Sequence, residues 1–540
     1  MKTIKTSALA AILVLQGCSS LPSKDFVPVN PETLSEWSVE GAVAIKDKQG
    51  KQETFFEYKN INGEYEIAIK PESPVAPVQA VVKGREGEPE SIQVEAKTSE
   101  GKALADTLQK TLPLDNMTYW LRALPATDDA KLEQDDNLLE ALQEDGWNIE
   151  YDDYMQVSRY YLPEKIDMKK ADTKVEIELV RAETGYLSSP CATGYMPDAE
   201  KLNAPDVADA DVVRTLVPPS GEAPLPRWID DQDFCKQLIK LHGKMPDPRI
   251  GLYGPGSMMW KLSAPVTPAG MGAGRALLLQ TAHPWITAGI DEHSIVRYDP
   301  VERARRTFIG INTIVYGSMP QVMAAANTIH KSHNEIQGKI PYPAGAFKQD
   351  SEYRANEINS MIWVHATLWE TLVTMYEDIE GPLTQAEKDR FYEETKLFAM
   401  VFGIPESALP RTWNEFMDYN ESMWYSPQLT VTNNTRGLKD DLFTPRSLWL
   451  IVPLWAQEVV TSVTLPAPVA EGYGMTPDNI DKVNFMWLMG SAKLFNWMMP
   501  DAIRINPIQY EAEARLRGER VGAYYRSLIK TGLGFERMVN

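Results

Sequence analysis

The sequence has few cysteines, few histidines and a shortage of basic side chains. Its 540 residues include three cysteines and six histidines, and acidic side chains outnumber basic ones by 75 to 54. The resulting formal charge of -21 argues against a protein that binds nucleic acid, because neutralising phosphates requires a basic surface. The chain also lacks a compact carboxylate–histidine motif and an internal repeat. At this length one hydrophobic core has usually stopped growing, so we expect two or three domains.

The N-terminus has the pattern of a targeting segment rather than of folded structure. Two lysines precede an apolar run, residues 8–15, that is too short to span a membrane as a mature helix. The sequence Leu-Gln-Gly-Cys that follows resembles a lipobox and predicts acylation of Cys18. The next residue is Ser19 rather than Asp, and in this position the chain resembles lipoproteins that are sorted to the outer membrane. We predict that 1–17 is a signal peptide and 18–30 a lipidated tether, which places the protein on the outer membrane, facing the periplasm. An ordinary secretory signal with an incidental cysteine is the alternative.

A segment rich in Pro, Ala and Asp, residues 188–227, is predicted to be a linker because its prolines disfavour a long helix. Of the two remaining cysteines, Cys191 lies near its start and Cys235 follows it. A periplasmic location would permit a disulfide between Cys191 and Cys235. They could equally stay free, because sequence does not show whether their backbones are close.

Residues 31–187 are predicted to form a β-rich domain. Short segments of alternating apolar and polar residues recur there between turns that contain Gly, Asn and Asp. Each segment places its apolar side chains on one face of a sheet. The clearest are 38–45, 54–58, 64–69 and 174–179.

Several motifs of this β-rich segment resemble LolB, the outer-membrane receptor that accepts lipoproteins from a periplasmic carrier. They are Trp37 to Gly41, Leu112 to Leu114, Tyr119 to Arg122, Gln143 to Tyr151 and Leu162-Pro163. The resemblance implies an antiparallel β half-barrel, closed by helices around an apolar cavity for acyl chains, with lipoproteins or their periplasmic carrier as partners. The alternative is that the inward side chains simply fill the interior.

One loop departs from the LolB pattern. LolB carries an exposed leucine in a Pro-Leu-Gly loop, whereas the matching stretch here is 71–78, in which Val75 is the nearest substitute. This departure puts lipoprotein insertion in doubt, even where lipid binding is retained.

From Trp228 onward the periodicity is helical almost to the C-terminus, and we predict one all-α domain over 228–540. This region contains every histidine of the chain. The histidines are His242, His283, His293, His330, His333 and His365.

Two of these histidines lie within apolar stripes of predicted helices. In the helix predicted over 320–338, His333 shares a stripe with Val322, Ala326, Ile329 and Ile336, while His330 lies one turn back and to the side. In the helix predicted over 357–376, His365 shares a stripe with Ile358, Met361, Leu368, Leu372 and Met375. Either could be a core histidine bonded to a carbonyl. Two buried imidazoles each need a polar partner, however, and a shared cofactor site would supply one.

Residues 299–302, Asp-Pro-Val-Glu, predict a helix start with a capping aspartate, a proline at the first position and a glutamate that reaches back. Spacings of three and four residues then put Arg303, Arg306 and Thr307 on one face. A solvated face neutralised by Glu302 is the ordinary alternative. The functional interpretation is a pair of guanidiniums, with a hydroxyl donor, aimed at anionic cofactor groups or bound oxygen species.

Motifs along this helical region resemble the oxygenases that include the latex-clearing proteins and the endoplasmic-reticulum oxygenase of mycophenolic acid synthesis. They are Ala276 to Pro284, Gly289, His293-Ser294, Asp299-Pro300, Arg303 to Thr307, His333 to Gly338, Trp363 to Leu368, Thr464 to Pro466 and Glu471 to Gly474. The resemblance implies a haem b cofactor with His333 as axial ligand, and Arg303, Arg306 and Thr307 as the distal motif. His330, His365 and His283 would then support the cofactor pocket.

Latex-clearing proteins have a lysine where this chain has Arg306. Because arginine stays charged and is a poor iron ligand, polyisoprene is a less certain substrate here. Our hypothesis is a haem-dependent oxygenase of an unsaturated apolar chain, isoprenoid or acyl, at the outer membrane. The alternatives are a lipid or lipoprotein carrier with a non-catalytic helical partner domain, and a non-haem metal held by the histidines.

Overall fold

The computed structural model describes residues 30–533, apart from 49, 72, 74–75, 136–137, 158–159, 186, 207–221, 246 and 520. The predicted signal peptide, Cys18 and Val75 lie outside the described residues. The chain divides into two compact units. One is Pro190–Gln509 with Thr531–Leu533, and the other is the described part of Leu21–Ser189 with Tyr510–Lys530.

The second of these units, here the β unit, contains an open antiparallel sheet, as predicted. Its elements are β1 (Glu36–Asp47), β2 (Gly50–Ile61), β3 (Glu64–Lys70), β4 (Ala80–Arg85), β5 (Glu88–Ala96), α1 (Ser99–Thr111), α2 (Leu114–Trp120), β6 (Lys131–Asp135), β7 (Leu138–Glu144), β8 (Trp147–Val157), β9 (Tyr160–Lys170) and β10 (Thr173–Thr184). The ten strands described pair in the order β5-β4-β3-β2-β1-β10-β9-β8-β7-β6. Because β5 and β6 remain edges, the sheet is a half-barrel rather than a closed barrel.

One face of the sheet carries the apolar core that the alternating pattern predicts. Trp37, Val39 and Val43 of β1 are buried there together with Leu108 of α1 and Trp120 of α2. A tight turn at Asn62 and Gly63, both with positive φ, connects β2 to β3 and sets their register, because such turns match the twist of the strands. The two helices therefore cover the same face towards which the apolar side chains point.

A cluster of buried charges lies on the other side of β1. Glu40, which points away from its neighbour Val39, is 3.2 Å from Lys70 and 3.3 Å from Arg181. Arg181 also lies 2.8 Å from Glu183. Arg515 is buried and interacts electrostatically with Arg181 and Glu183, and its burial lowers its pKa to about 10. Arg515 belongs to α18 (Pro507–Arg517), which is followed by α19 (Ala523–Leu533).

The other unit, here the helical unit, is built almost entirely of helices. Its elements are α3 (Ala199–Asn203), α4 (Asp231–Gly243), α5 (Met258–Ser263), α6 (Val266–Thr281), α7 (Pro284–His293), α8 (Pro300–Tyr316), α9 (Met319–Glu335), β11 (Gln337–Lys339), β12 (Glu352–Arg354), α10 (Ile358–Ile379), α11 (Gln385–Val401), α12 (Trp413–Trp424), α13 (Asn433–Phe443), α14 (Ile451–Thr464), α15 (Ala467–Tyr473), α16 (Asn479–Met498) and α17 (Asp501–Arg504). The prediction of a multidomain protein with an antiparallel half-barrel and an all-α region is confirmed. No helix in the described residues is both long and apolar enough to cross a membrane.

Helix α10 is the centre of the helical unit, with most of its side chains buried. Its Glu370 accepts hydrogen bonds from the Arg275 guanidinium of α6, one of them at 3.0 Å. Helix α6 approaches closely at Gly272, where an added Cβ would lie 2.7 Å from Thr371. A small residue and a paired buried charge thus fix α6 against α10.

Cys191, within the predicted linker, and Cys235, after it, form a disulfide. Cys191 and Cys235 of α4 have Cα atoms 5.6 Å apart, within the range a disulfide requires. Both belong to the helical unit. The bond that the sequence left open is therefore present.

Candidate functional site

Helix α8 begins as the sequence predicts. The Asp299 carboxylate accepts a hydrogen bond from the Glu302 backbone at 3.0 Å, and Pro300 occupies the first helical turn. Glu302 does not reach back as the predicted capping box requires, because its carboxylate accepts hydrogen bonds from Arg305 at 2.6 Å and from Arg306 at 2.9 Å. These two guanidiniums lower the pKa of Glu302 to about 2.

The structure brings together two of the three residues predicted on the α8 face. The Arg303 guanidinium donates a hydrogen bond to Thr307 Oγ1, which donates to the Arg303 carbonyl at 2.9 Å. Arg306 is turned towards Glu302, with 60 % of its side chain exposed. Although Arg303 is also exposed, loss of hydration and the nearby Arg306 lower its pKa.

His333, in the last turn of α9, lies near Arg303. Its imidazole is half-buried, and its pKa is lowered to about 4, mainly by desolvation and further by the charges of His330 and Arg303. The ring of Phe402 lies 6.4 Å from that of His333. The imidazole is therefore neutral at physiological pH, which is the form that binds a metal.

Asn356 lies beside the His333 ring. Its Oδ1 is buried without a well-formed hydrogen bond, yet its side chain raises the pKa of His333 by interacting with the imidazole. Its Nδ2 donates to Asn334 Oδ1 at 2.6 Å, and Asn334 Nδ2 donates to Asp231 at 2.8 Å. This chain of amides fixes the orientation of Asn356 beside His333.

His330 already has partners on several sides. Its Nε2 donates to the Asp231 carboxylate at 2.9 Å, and its ring stacks on Phe234 at 3.9 Å between centroids. Tyr195 packs edge-on against the ring at 5.5 Å. These contacts are those of a structural residue, which packs α9 against α4.

His365 and His283 are buried elsewhere in the helical unit. His365 Nε2 donates to the Thr395 carbonyl at 2.9 Å, while its Nδ1 has no partner. His283 precedes α7, packs against Phe347, and also has an unpartnered Nδ1. Desolvation lowers the pKa of His365 to about 4 and that of His283 to about 3. Within the part of the chain that the structure describes, no hydrogen bond or charge effect links either imidazole to His333.

The metal-binding donor of this region is the neutral imidazole of His333. Among the described residues, no three His, Cys, Asp or Glu side chains cluster as they would around a metal ion. A single imidazole with an amide oxygen beside it suits a metal whose other ligands come from the cofactor itself, as the nitrogens of a porphyrin do for iron. Sequence reasoning missed Asn356 and Asp231, which lie at the starts of α10 and α4 and carry no motif of their own.

A cavity of about 340 Å³ lies beside Ala282, the neighbour of His283. Its walls are largely apolar and aromatic. They are formed by Ala282, Trp424, Tyr425, Ser426, Pro427, Leu429, Val431, Pro468, Val469 and Gly472.

Comparison with protein families confirms both resemblances. Residues 260–494 match the family described as ER-bound oxygenase mpaB/B'/rubber oxygenase, catalytic domain. Residues 35–181 match the family described as outer membrane lipoprotein LolB. The chain therefore carries a LolB-like region followed by a rubber-oxygenase-type catalytic domain, and all the histidines and arginines of the predicted site lie within the second match.

Individual relatives cover the β unit. Outer-membrane lipoprotein LolB of Pseudomonas aeruginosa is 29% identical over 190 residues, which cover 32% of this chain and 91% of that protein. The LolB proteins of Pseudomonas fluorescens and Ectopseudomonas mendocina are 28% and 27% identical, and each match covers 31% of this chain and 89% of the relative.

Proposed function

We propose that the helical unit is a haem-b-dependent oxygenase that oxidises an unsaturated apolar chain, isoprenoid or acyl, at the outer membrane. The observation that supports this most directly is the position of His333, a neutral imidazole beside Asn356 and near Arg303, within a region that matches an oxygenase catalytic domain. Haem would supply an iron centre that binds and activates dioxygen.

His333 would hold the haem iron. Its binding nitrogen must carry a lone pair, and the lowered pKa provides this at neutral pH. The other ring nitrogen would donate to Asn356 Oδ1, an acceptor without another well-formed hydrogen bond. Such a bond fixes the tautomer and makes the ligand more basic.

Arg303 and Thr307 would act on the charged groups of the site. A guanidinium that has lost part of its hydration stabilises negative charge more strongly than one in bulk water, and the Thr307 hydroxyl, bonded to it, can donate to the same anion. Arg306 would support this arrangement indirectly, because it shares Glu302 with Arg305. His365 and His283 would hold the helices that surround the pocket.

An absorption spectrum of the mature chain, expressed with an adequate haem supply, tests this function. We expect a Soret band that is lost in His333→Ala and regained with added imidazole. A wild-type protein without a Soret band would contradict the oxygenase, and an unchanged spectrum in His333→Ala would move the ligand to another histidine.

The LolB-like region favours a second function, the binding of lipid or lipoprotein. Relatives 27–29% identical to this chain are named outer-membrane lipoproteins, so we propose that this protein is anchored in the outer membrane through acylated Cys18 and faces the periplasm. Its partners would be lipoproteins, their periplasmic carrier, or the apolar substrate itself. A carrier alone would co-purify with acyl chains and contain no haem, which mass spectrometry of the purified protein would show.

A further inference from the structure

Helix α16 exposes an apolar face. Ile480, Val483, Met486, Trp487, Leu494 and Trp497 are between 53% and 82% exposed. Their spacing of three, four and seven residues places them on one side of the helix. Trp487 and Trp497 alone present on the order of 300 Å² of apolar surface to the surroundings. The four other side chains add to this area, and the whole face is larger than the apolar patches of a few hundred Å² that monomeric soluble proteins usually expose.

The opposite side of α16 is fixed in the helical unit. Met489 and Ala492 pack with Met375 of α10 and Val460 of α14. The buried Asn496 accepts a hydrogen bond from Thr267 of α6 at 3.0 Å. Because these contacts hold one side, the exposed side is the outer face of an ordered helix.

The neighbouring helix extends the apolar character. Helix α14 packs on α16, and Leu448, Ile451, Val452 and Trp455, at its start and in the turn before it, are between 38% and 88% exposed. They repeat the three- and four-residue spacing of a helix face. We call the exposed faces of these two helices the apolar surface.

Two lysines of α16, Lys482 and Lys493, are exposed beside its apolar face. The apolar surface also has acidic neighbours, because Asp478 at the start of α16 and Glu458 of α14 are exposed. Both lysines lie along one edge of the apolar face, where their stems can lie over apolar groups while their ammonium groups reach anionic headgroups.

We propose that the apolar surface binds a phospholipid surface, with α16 lying in its plane, tryptophans in the interface and the two lysines at anionic headgroups. A helix that is fixed on one side and apolar on the other can insert a few ångströms without crossing the bilayer. This interaction would bring the helical unit to the layer in which an apolar substrate dissolves. This inference rests on the proposed function only for the biological purpose of lipid binding, because α16 can bind lipid whether or not the helical unit binds haem.

Vesicle binding by the mature chain with Cys18→Ser, which cannot be acylated, tests the proposal. We expect co-sedimentation with vesicles of phosphatidylethanolamine and phosphatidylglycerol, accompanied by a blue shift of tryptophan emission. Trp487→Glu and Trp497→Glu should each weaken binding roughly tenfold or more, because an aromatic group that enters the lipid is replaced by a charge. Lys482→Glu with Lys493→Glu should weaken binding only when phosphatidylglycerol is present, by about fivefold per lysine.

Leu225→Glu is the matched control, because Leu225 is also 82% exposed but lies outside the apolar surface, and it should leave vesicle binding unchanged. The Soret absorbance of every variant, compared with that of the parent, separates a failure of lipid binding from a failure of the haem site. Equal vesicle binding by Trp497→Glu and the parent would overturn the proposal. So would a dimer of the parent that Trp497→Glu dissociates, since a second copy would then cover the surface.

Discussion

His330 donates a hydrogen bond from Nε2 to the Asp231 carboxylate at 2.9 Å, and the two residues join α9 to the start of α4. The ring is 2% exposed and stacked on Phe234, so its contacts are those of a structural residue. His333, one turn further along α9, is half-buried and faces Asn356. The two histidines of one helix therefore differ in what they can bind.

Replacing His330 should lower stability without removing a cofactor. His330→Ala deletes a charge-assisted hydrogen bond and an aromatic stack, which we expect to reduce the free energy of unfolding by about 2–4 kcal/mol. Urea denaturation followed by circular dichroism measures this change. The haem content of the folded variant should equal that of the wild type, and a variant that folds but lacks haem would make His330 a ligand.

Asn356 should affect how strongly His333 binds haem. Asn356→Ala removes the acceptor for the His333 ring, and we expect haem affinity to fall by about 10- to 100-fold, as when the supporting hydrogen bond of a metal-bound histidine is lost. Asn356→Asp should instead lower the reduction potential, because a carboxylate makes the imidazole more electron-rich. Haem titration and potentiometry measure the two effects.

Asn334→Ala is the control for Asn356. It removes the amide that accepts a hydrogen bond from Asn356 Nδ2 and leaves Oδ1 in place. A loss of affinity as large in Asn334→Ala as in Asn356→Ala would show that general disorder of the loop, rather than the acceptor, is responsible.

Arg303 and Arg306 should differ in their effect on turnover. We expect Arg303→Ala to reduce kcat by about 10²- to 10³-fold, the usual effect of losing a group that stabilises developing charge. Arg306→Ala removes a side chain that is 60% exposed and paired with Glu302, so its effect should stay below about tenfold. Incorporation of labelled dioxygen into an unsaturated isoprenoid or acyl substrate, followed by mass spectrometry, compares the variants. Equal losses in both would support the original assignment of Arg306 to the distal side.

His365 should make the helical unit sensitive to acid. Burial lowers its pKa from the usual 6.5 to about 4 in the folded protein, so the unfolded chain binds more protons between these values. Stability attributable to this group is fully present above pH 6.5 and is lost progressively as the pH falls towards 4, by about 3 kcal/mol in total. His365→Gln, which keeps a donor for the Thr395 carbonyl, should have a shallower acid limb in urea denaturation. If its pH dependence matches that of the wild type, other groups control acid stability.

Sequence patterns predicted the features that local chemistry controls. The strands around Trp37 and the capped start of α8 at Asp299 follow from alternation and from N-terminal helix signals. Helical phase placed His333 in the apolar stripe and His330 to its side, but the structure buries His330 and leaves His333 half-buried.

Other features depend on partners that are distant in sequence. Spacing places Arg303 and Arg306 on one face, but the choice between Thr307 and Glu302 as partner depends on rotamers and local hydration. Asn356 lies just before a helix, in a segment without periodicity, and only the fold brings it to His333. The bond between Cys191 and Cys235 likewise required the distance between the two backbones.

The burial of Arg515 among the charges of the sheet has a consequence for the order of events during biosynthesis. Strands β1 to β10 leave the ribosome before the helical unit, whereas the helix that contributes Arg515 follows that unit in the sequence. Until that helix is made, Arg181 and Glu183 lack Arg515 as a neighbour, and part of the surface of the half-barrel stays exposed. A chain that stalls or is cut before residue 507 would therefore lack part of the β unit.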